Sequence, residues 1–152
     1  ANDTDLVVLT ASSVLGTLAN PNDPLSVNGV AVPLGDQFVL TAAEQERVST
    51  ATRAYNTTII TLATANGLAF VDARTALAQV ANGGVSYDAG LLTDTFVTGG
   101  AFSLDGVHPS PRGYAYTANL IIDKINRTYN ATIPMVNIGD YGTVTITNNG
   151  SN

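Results

Sequence analysis

The chain has no cysteine and no tryptophan, a single histidine and a single methionine among 152 residues. The lack of cysteine excludes a disulfide framework and a thiol nucleophile. One histidine without cysteine leaves no soft-ligand set for a transition metal, so neither a metal nor another cofactor is expected. Charged residues make up only 12%, and Lys plus Arg number 6 against 12 Asp plus Glu, for a net charge of −6. A balance this acidic argues against nucleic acid, which is held through clustered Lys and Arg. Apolar residues reach 45%, yet no run approaches the ~20 residues of a membrane-spanning helix. The length suits one soluble domain. The sequence has no internal repeat and no phosphate-binding glycine loop.

The lone histidine lies in the stretch Phe102-Ser103-Leu104-Asp105-Gly106-Val107-His108-Pro109-Ser110-Pro111-Arg112-Gly113-Tyr114. Asp105 precedes it by three positions, and prolines and glycines fix the backbone around both. Histidine is the side chain that moves protons near neutral pH. A carboxylate bonded to one ring nitrogen fixes the tautomer and frees the other nitrogen as a base. His108 and Asp105 are therefore the candidate catalytic pair, the base half of a Ser-His-Asp arrangement. The competing reading is a turn in which Asp105 caps a backbone amide and His108 packs on Tyr114.

The segment Asp105-Gly106-Val107-His108-Pro109-Ser110-Pro111-Arg112-Gly113-Tyr114 resembles the last conserved block of the SGNH (GDSL-type) hydrolases. There Asp-x-x-His opens the final helix. The similarity extends from about Leu6 to Pro134 and is closest to Bacteroidetes-type members. It implies a serine ester hydrolase acting on a small ester, and a three-layer α/β/α sandwich around a parallel, flavodoxin-like sheet. It implies His108 as base and Asp105 as its orienting carboxylate. The family's Gly-Asp-Ser block, which carries the nucleophile, and its Gly-x-Asn-Asp block are not in the chain. The sequence thus reads as the C-terminal part of such a domain over 1–134, with a short strand and tail over 135–152. An N-terminal segment of the same hydrolase, or a second copy, would complete the sheet and bring the serine. Expected location is outside the cytoplasm: periplasmic, outer-membrane-associated or extracellular. Two alternatives stand beside this. One is a non-catalytic binding or interaction domain that keeps the hydrolase fold. The other is a complete small hydrolase using Ser12 or Ser13, which follow a strand-like run but lack the flanking glycines of a nucleophile turn.

Along the chain, Leu6–Leu9 and Leu68–Val71 read as buried strands, and a further short strand is expected near Val144. Residues 19–35 read as loop, with Asn-Pro and Asn-Gly turn signals. Thr41 and Glu44 form a capping box for a helix. The apolar positions Val48, Ala51, Tyr55, Ile59 and Leu62 share one face of that helix, and Gly67 would end it. Asp72, at the end of the second run, reads as the N-cap of a helix over 73–81, with a ligand-site role as the alternative. Extended segments and turns are expected over 87–100. Ser110 would cap the last helix with Pro111 at its first position. Tyr114, Ala118, Ile121, Ile125 and Tyr129 would form its buried stripe. Asn-x-Ser/Thr triplets at Asn2, Asn56, Asn126, Asn130 and Asn149 read as chance in a chain rich in Asn and Thr.

Overall fold

The computed structural model describes residues 3–88 and 90–144. The chain divides into two compact units, Ala1–Ile60 and Thr61–Asn152. In the first, β1 (Leu6–Val7) pairs antiparallel with β2 (Val39–Leu40), Leu6 opposite Leu40. Leu9–Ser13 forms a 3-10 turn instead of continuing the strand. The long connection between the two strands closes on itself through backbone hydrogen bonds such as Asn28 N–H to Thr17 O. Ser26 is buried there, its hydroxyl bonded to the carbonyls of Asn20 and Asp23. Helix α1 (Ala42–Ala65) starts at the expected capping box. The Thr41 amide and hydroxyl both donate to Glu44 Oε2, at 2.9 and 2.7 Å. Those bonds hold the Glu44 carboxyl below its usual pKa. Gly67 ends the helix at φ +61°, and Leu68 N–H closes back on Ala63 O.

The second unit contains α2 (Ala73–Ala81), a hairpin of β3 (Val85–Tyr87) and β4 (Gly90–Leu92), and α3 (Pro111–Tyr129). The hairpin is antiparallel, with Val85 opposite Leu92. Ala76 and Val80 of α2, Leu92 of β4, Ala101, and Tyr116 of α3 form its core, with Tyr87, Phe102, Leu120 and Ile138 packed around them. After α3 the chain doubles back. Asn126 and Asn119, two turns apart on one face of the helix, each hold it by a pair of bonds. The Asn126 side chain bonds both N–H and O of Ile133, and Asn119 does the same with Val136. A 3-10 turn at Ile138–Asp140 then packs on α3.

This architecture corrects the expected α/β/α sandwich. The described residues form two small antiparallel sheets of two strands each, and no parallel pair of strands longer than an isolated bridge. Leu68–Val71 lies in no helix or strand and pairs with no strand among the described residues. Its backbone is served by helices instead: Leu68 N–H goes to the end of α1, and Ala69 N–H donates to the Tyr129 hydroxyl at 3.0 Å. β-branched and aromatic residues favour a pleated surface, but a ladder needs a partner. Val144 is not in a strand. The rest of the expected tail strand, and the triplets at Asn2 and Asn149, lie outside the described residues.

The buried stripe expected on α3 is corrected as well. On α1, Val48, Tyr55, Ile59 and Leu62 are exposed, and Ala63 is the buried residue. On α3, Tyr114, Ile121 and Tyr129 are exposed, whereas Gly113, Ala115 and Tyr116 are buried. Eight apolar residues are buried among those described, five of them alanines. Only Val80, Leu92 and Tyr116 therefore bring large side chains inside.

Candidate functional site

Three local devices build the loop that carries Asp105 and His108. Phe102 bridges Pro109 across it. Ser103 N–H donates to His108 O at 2.8 Å, and Gly106 N–H to Ser103 O at 3.1 Å. Gly106 takes the left-handed conformation, φ +69°, that the turn requires. Beyond the loop, Ser110 is buried and caps α3: its hydroxyl donates to Gly100 O and accepts from Gly113 N–H. Pro111 stands at the helix start, as its missing N–H permits. Arg112 clamps the same turn from outside. Its guanidinium lies 5.2 Å from the Tyr87 ring centre, and its Nε–H donates to Tyr141 O.

Within this frame the structure brings the two predicted residues together. His108 Nδ1 lies 2.6 Å from Asp105 Oδ2. The other carboxylate oxygen, Oδ1, accepts from Ser103 Oγ at 2.6 Å and from the amides of Val107 and His108, each at 2.9 Å. These bonds, the Ser103 hydroxyl foremost and then His108, hold the Asp105 carboxyl far below its ordinary pKa. The carboxylate is thus ionised at neutral pH and acts only as an acceptor. Nδ1 must be the protonated nitrogen of neutral His108, which leaves the Nε2 lone pair free.

The imidazole is 71% exposed and the Asp105 side chain 49%. Packing of His108 beneath Tyr114 is therefore not what holds it. The groove nearest in sequence belongs to the helix, and His108 is not among its lining residues. It encloses about 410 Å³ and is lined by Pro111, Tyr114, Ala115, Ala118, Val136 and Tyr141.

The other candidates lie as follows. Asp72 caps α2, accepting from Thr75 N–H at 3.0 Å and from the Thr75 hydroxyl at 2.7 Å. Ser13 Oγ donates to Thr10 O within its 3-10 turn, and Ser12 is exposed beside it. Both serines belong to the first compact unit, and the pair belongs to the second. Of the triplets, Asn126 has its side chain engaged with Ile133, whereas Asn130 stands exposed at the left-handed end of α3. No group of three or more acidic or histidine side chains that could hold a metal occurs among the described residues. None of the described helices is long and apolar enough to cross a membrane. Ser103 was not anticipated as part of the site, and its signal in the sequence is only the Ser-x-Asp spacing. Comparison with protein-family models, with curated proteins and with solved structures finds no match to this chain.

Proposed function

We propose that this chain carries the base half of a serine ester hydrolase, with His108 as general base and Asp105 as its orienting carboxylate. The observation that carries the proposal is the 2.6 Å contact between Nδ1 and Oδ2, in a loop that leaves the imidazole largely exposed. The resemblance of residues 105–114 to the last SGNH block supports the same reading. The nucleophilic serine and the oxyanion donors come from a polypeptide segment other than the described one, either another part of the same hydrolase or a second copy. The serine hydroxyl gives its proton to Nε2 as its oxygen adds to the ester carbonyl. The resulting imidazolium, stabilised by Asp105, returns that proton to the departing alcohol. Water then repeats the cycle on the acyl-enzyme. The substrate is a small ester.

The test is hydrolysis of p-nitrophenyl acetate by the protein as its gene encodes it, with fluorophosphonate labelling read by peptide mass. Activity that falls by about 10⁴-fold or more in His108→Ala, with the label on a serine other than Ser12 and Ser13, is the expected result. A label on Ser12 or Ser13 would instead make this a complete small hydrolase.

A second reading is favoured by one specific observation. Two of the four hydrogen bonds to Asp105 come from the backbone amides of Val107 and His108 and serve the turn itself. A non-catalytic binding domain would use the loop only as a surface feature. Equal activity of wild type and His108→Ala, or none in either, would select it.

A further inference from the structure

We infer that Ser103 is a positioning residue for His108: its hydroxyl occupies Asp105 Oδ1 and so reserves Oδ2 for the imidazole. The consequence for catalysis rests on the reading of His108 as a general base, but the geometry does not. A carboxylate offers about four acceptor sites over its two oxygens. Here Oδ1 takes three donors, from Ser103, Val107 and His108, and Oδ2 takes the imidazole. The two amides approach from the chain that follows Asp105. Ser103 reaches it from the chain that precedes Asp105 and adds a side-chain donor to the two backbone ones.

The hydroxyl is not needed to close the loop. Backbone bonds already do that, from Ser103 N–H to His108 O and from Gly106 N–H to Ser103 O. What the hydroxyl adds falls on the carboxylate alone. Without it, Oδ1 keeps only the two backbone amides that follow Asp105 in the chain, and the carboxylate is freer to turn about its Cβ–Cγ bond. The imidazole then loses its single bonding direction. Its Nδ1–H tautomer, the one with a free Nε2 lone pair, becomes less populated. The same hydroxyl is the leading cause of the depressed Asp105 pKa.

With one histidine in the chain, ¹⁵N-histidine labelling yields a single imidazole spectrum, and long-range proton–nitrogen correlation at a pH where the ring is neutral reads the tautomer directly. Wild type is expected to show predominantly Nδ1–H. Ser103→Ala should shift the population toward Nε2–H, and Ser103→Thr, which keeps the hydroxyl, should restore it. In the active protein, Ser103→Ala should lower kcat about tenfold with KM unchanged. An unchanged tautomer in Ser103→Ala, or a shift that Ser103→Thr fails to reverse, would overturn the inference. Should the alanine variant lose the folded loop, Ser103→Cys, of similar volume but a weaker donor, is read by the same criterion. The tautomer reports on Ser103 even if no ester is hydrolysed, so failure of the hydrolase reading and failure of this one are separate results.

Discussion

Gly113, in the first turn of α3, lies so close to the carbonyl of Ala101 that a Cβ built on it would stand 2.1 Å from the oxygen. The same carbonyl accepts from Ser110 N–H at 2.9 Å, so it cannot move aside without breaking that bond. The helix carrying the histidine loop is seated by this backbone contact. Gly113→Ala should therefore destabilise the protein by about 2–3 kcal/mol, the upper part of the range for overpacking. Urea unfolding measures it. A change below about 0.5 kcal/mol would show that the helix start is not held there.

Ser110 joins the end of the preceding segment to the start of α3 through one buried hydroxyl. Ser110→Ala removes the N-cap and leaves Gly100 O without that donor. A loss of about 1–2 kcal/mol is expected. Amide exchange should quicken first at Gly113 and Tyr114.

The Asp105 carboxyl is held below its ordinary value by bonds that exist only in the folded loop. The unfolded chain therefore binds a proton there at mildly acid pH that the folded loop does not. The contribution to stability is complete above the ordinary carboxylate pKa, declines as pH falls below it, and is gone once pH passes the folded pKa. Carbon-13 titration of the Asp105 carboxyl should give a midpoint well under the ordinary 3.8. A midpoint at or above that value would mean the four bonds do not persist in solution.

Asp105→Asn and Asp105→Ala separate the two jobs of this residue. Asparagine keeps an acceptor for the Val107 and His108 amides but cannot accept Nδ1–H through its amino group. The loop should stay folded, with hydrolysis about 10⁴-fold slower, as when the tautomer of a catalytic histidine is wrong. Alanine removes the acceptors as well, and exchange at Val107 and His108 should rise. Equal activity of Asp105→Asn and wild type would leave the carboxylate as a turn-former only.

Asn119 and Asn126 hold the returning chain to α3 by paired bonds of 2.8 to 2.9 Å. Each Asn→Ala replacement should cost about 1–2 kcal/mol. Limited proteolysis should then cut between Ala131 and Asn137 before any other site in that unit. Resistance equal to wild type would show the segment is held by packing alone.

The parts of this molecule legible in the sequence are those fixed by neighbours a few residues apart. Thr41 with Glu44, Ser110 with Pro111, Gly67, the Asp72 cap and the Asp105–His108 pair all depend on short-range stereochemistry. The illegible parts depend on distant choices. Helix α3 carries two apolar stripes, Tyr114-Ala118-Ile121-Ile125-Tyr129 and Ala115-Tyr116-Leu120, and periodicity alone cannot say which turns inward. The contact of Gly113 with Ala101 selects the second. Leu68–Val71 has the composition of a strand, but its hydrogen-bond partners are a helix end and the Tyr129 hydroxyl. The Asn119 and Asn126 clamps reach residues beyond a turn that no local pattern announces.

The exposure of the His108 ring bears on how its partnership with Asp105 works. Charges facing water attract each other weakly, because solvent screens them. At 71% and 49% exposure, this pair adds little as electrostatic attraction, and its effect lies in direction. Added salt should therefore weaken the attraction while the hydrogen-bonded orientation survives. The dry surroundings in which an imidazolium–carboxylate pair becomes strong would have to be supplied by whatever surface closes over Nε2. Docking of that surface would then switch the pair from a fixed pointer into a strong stabiliser of the charge formed during the reaction.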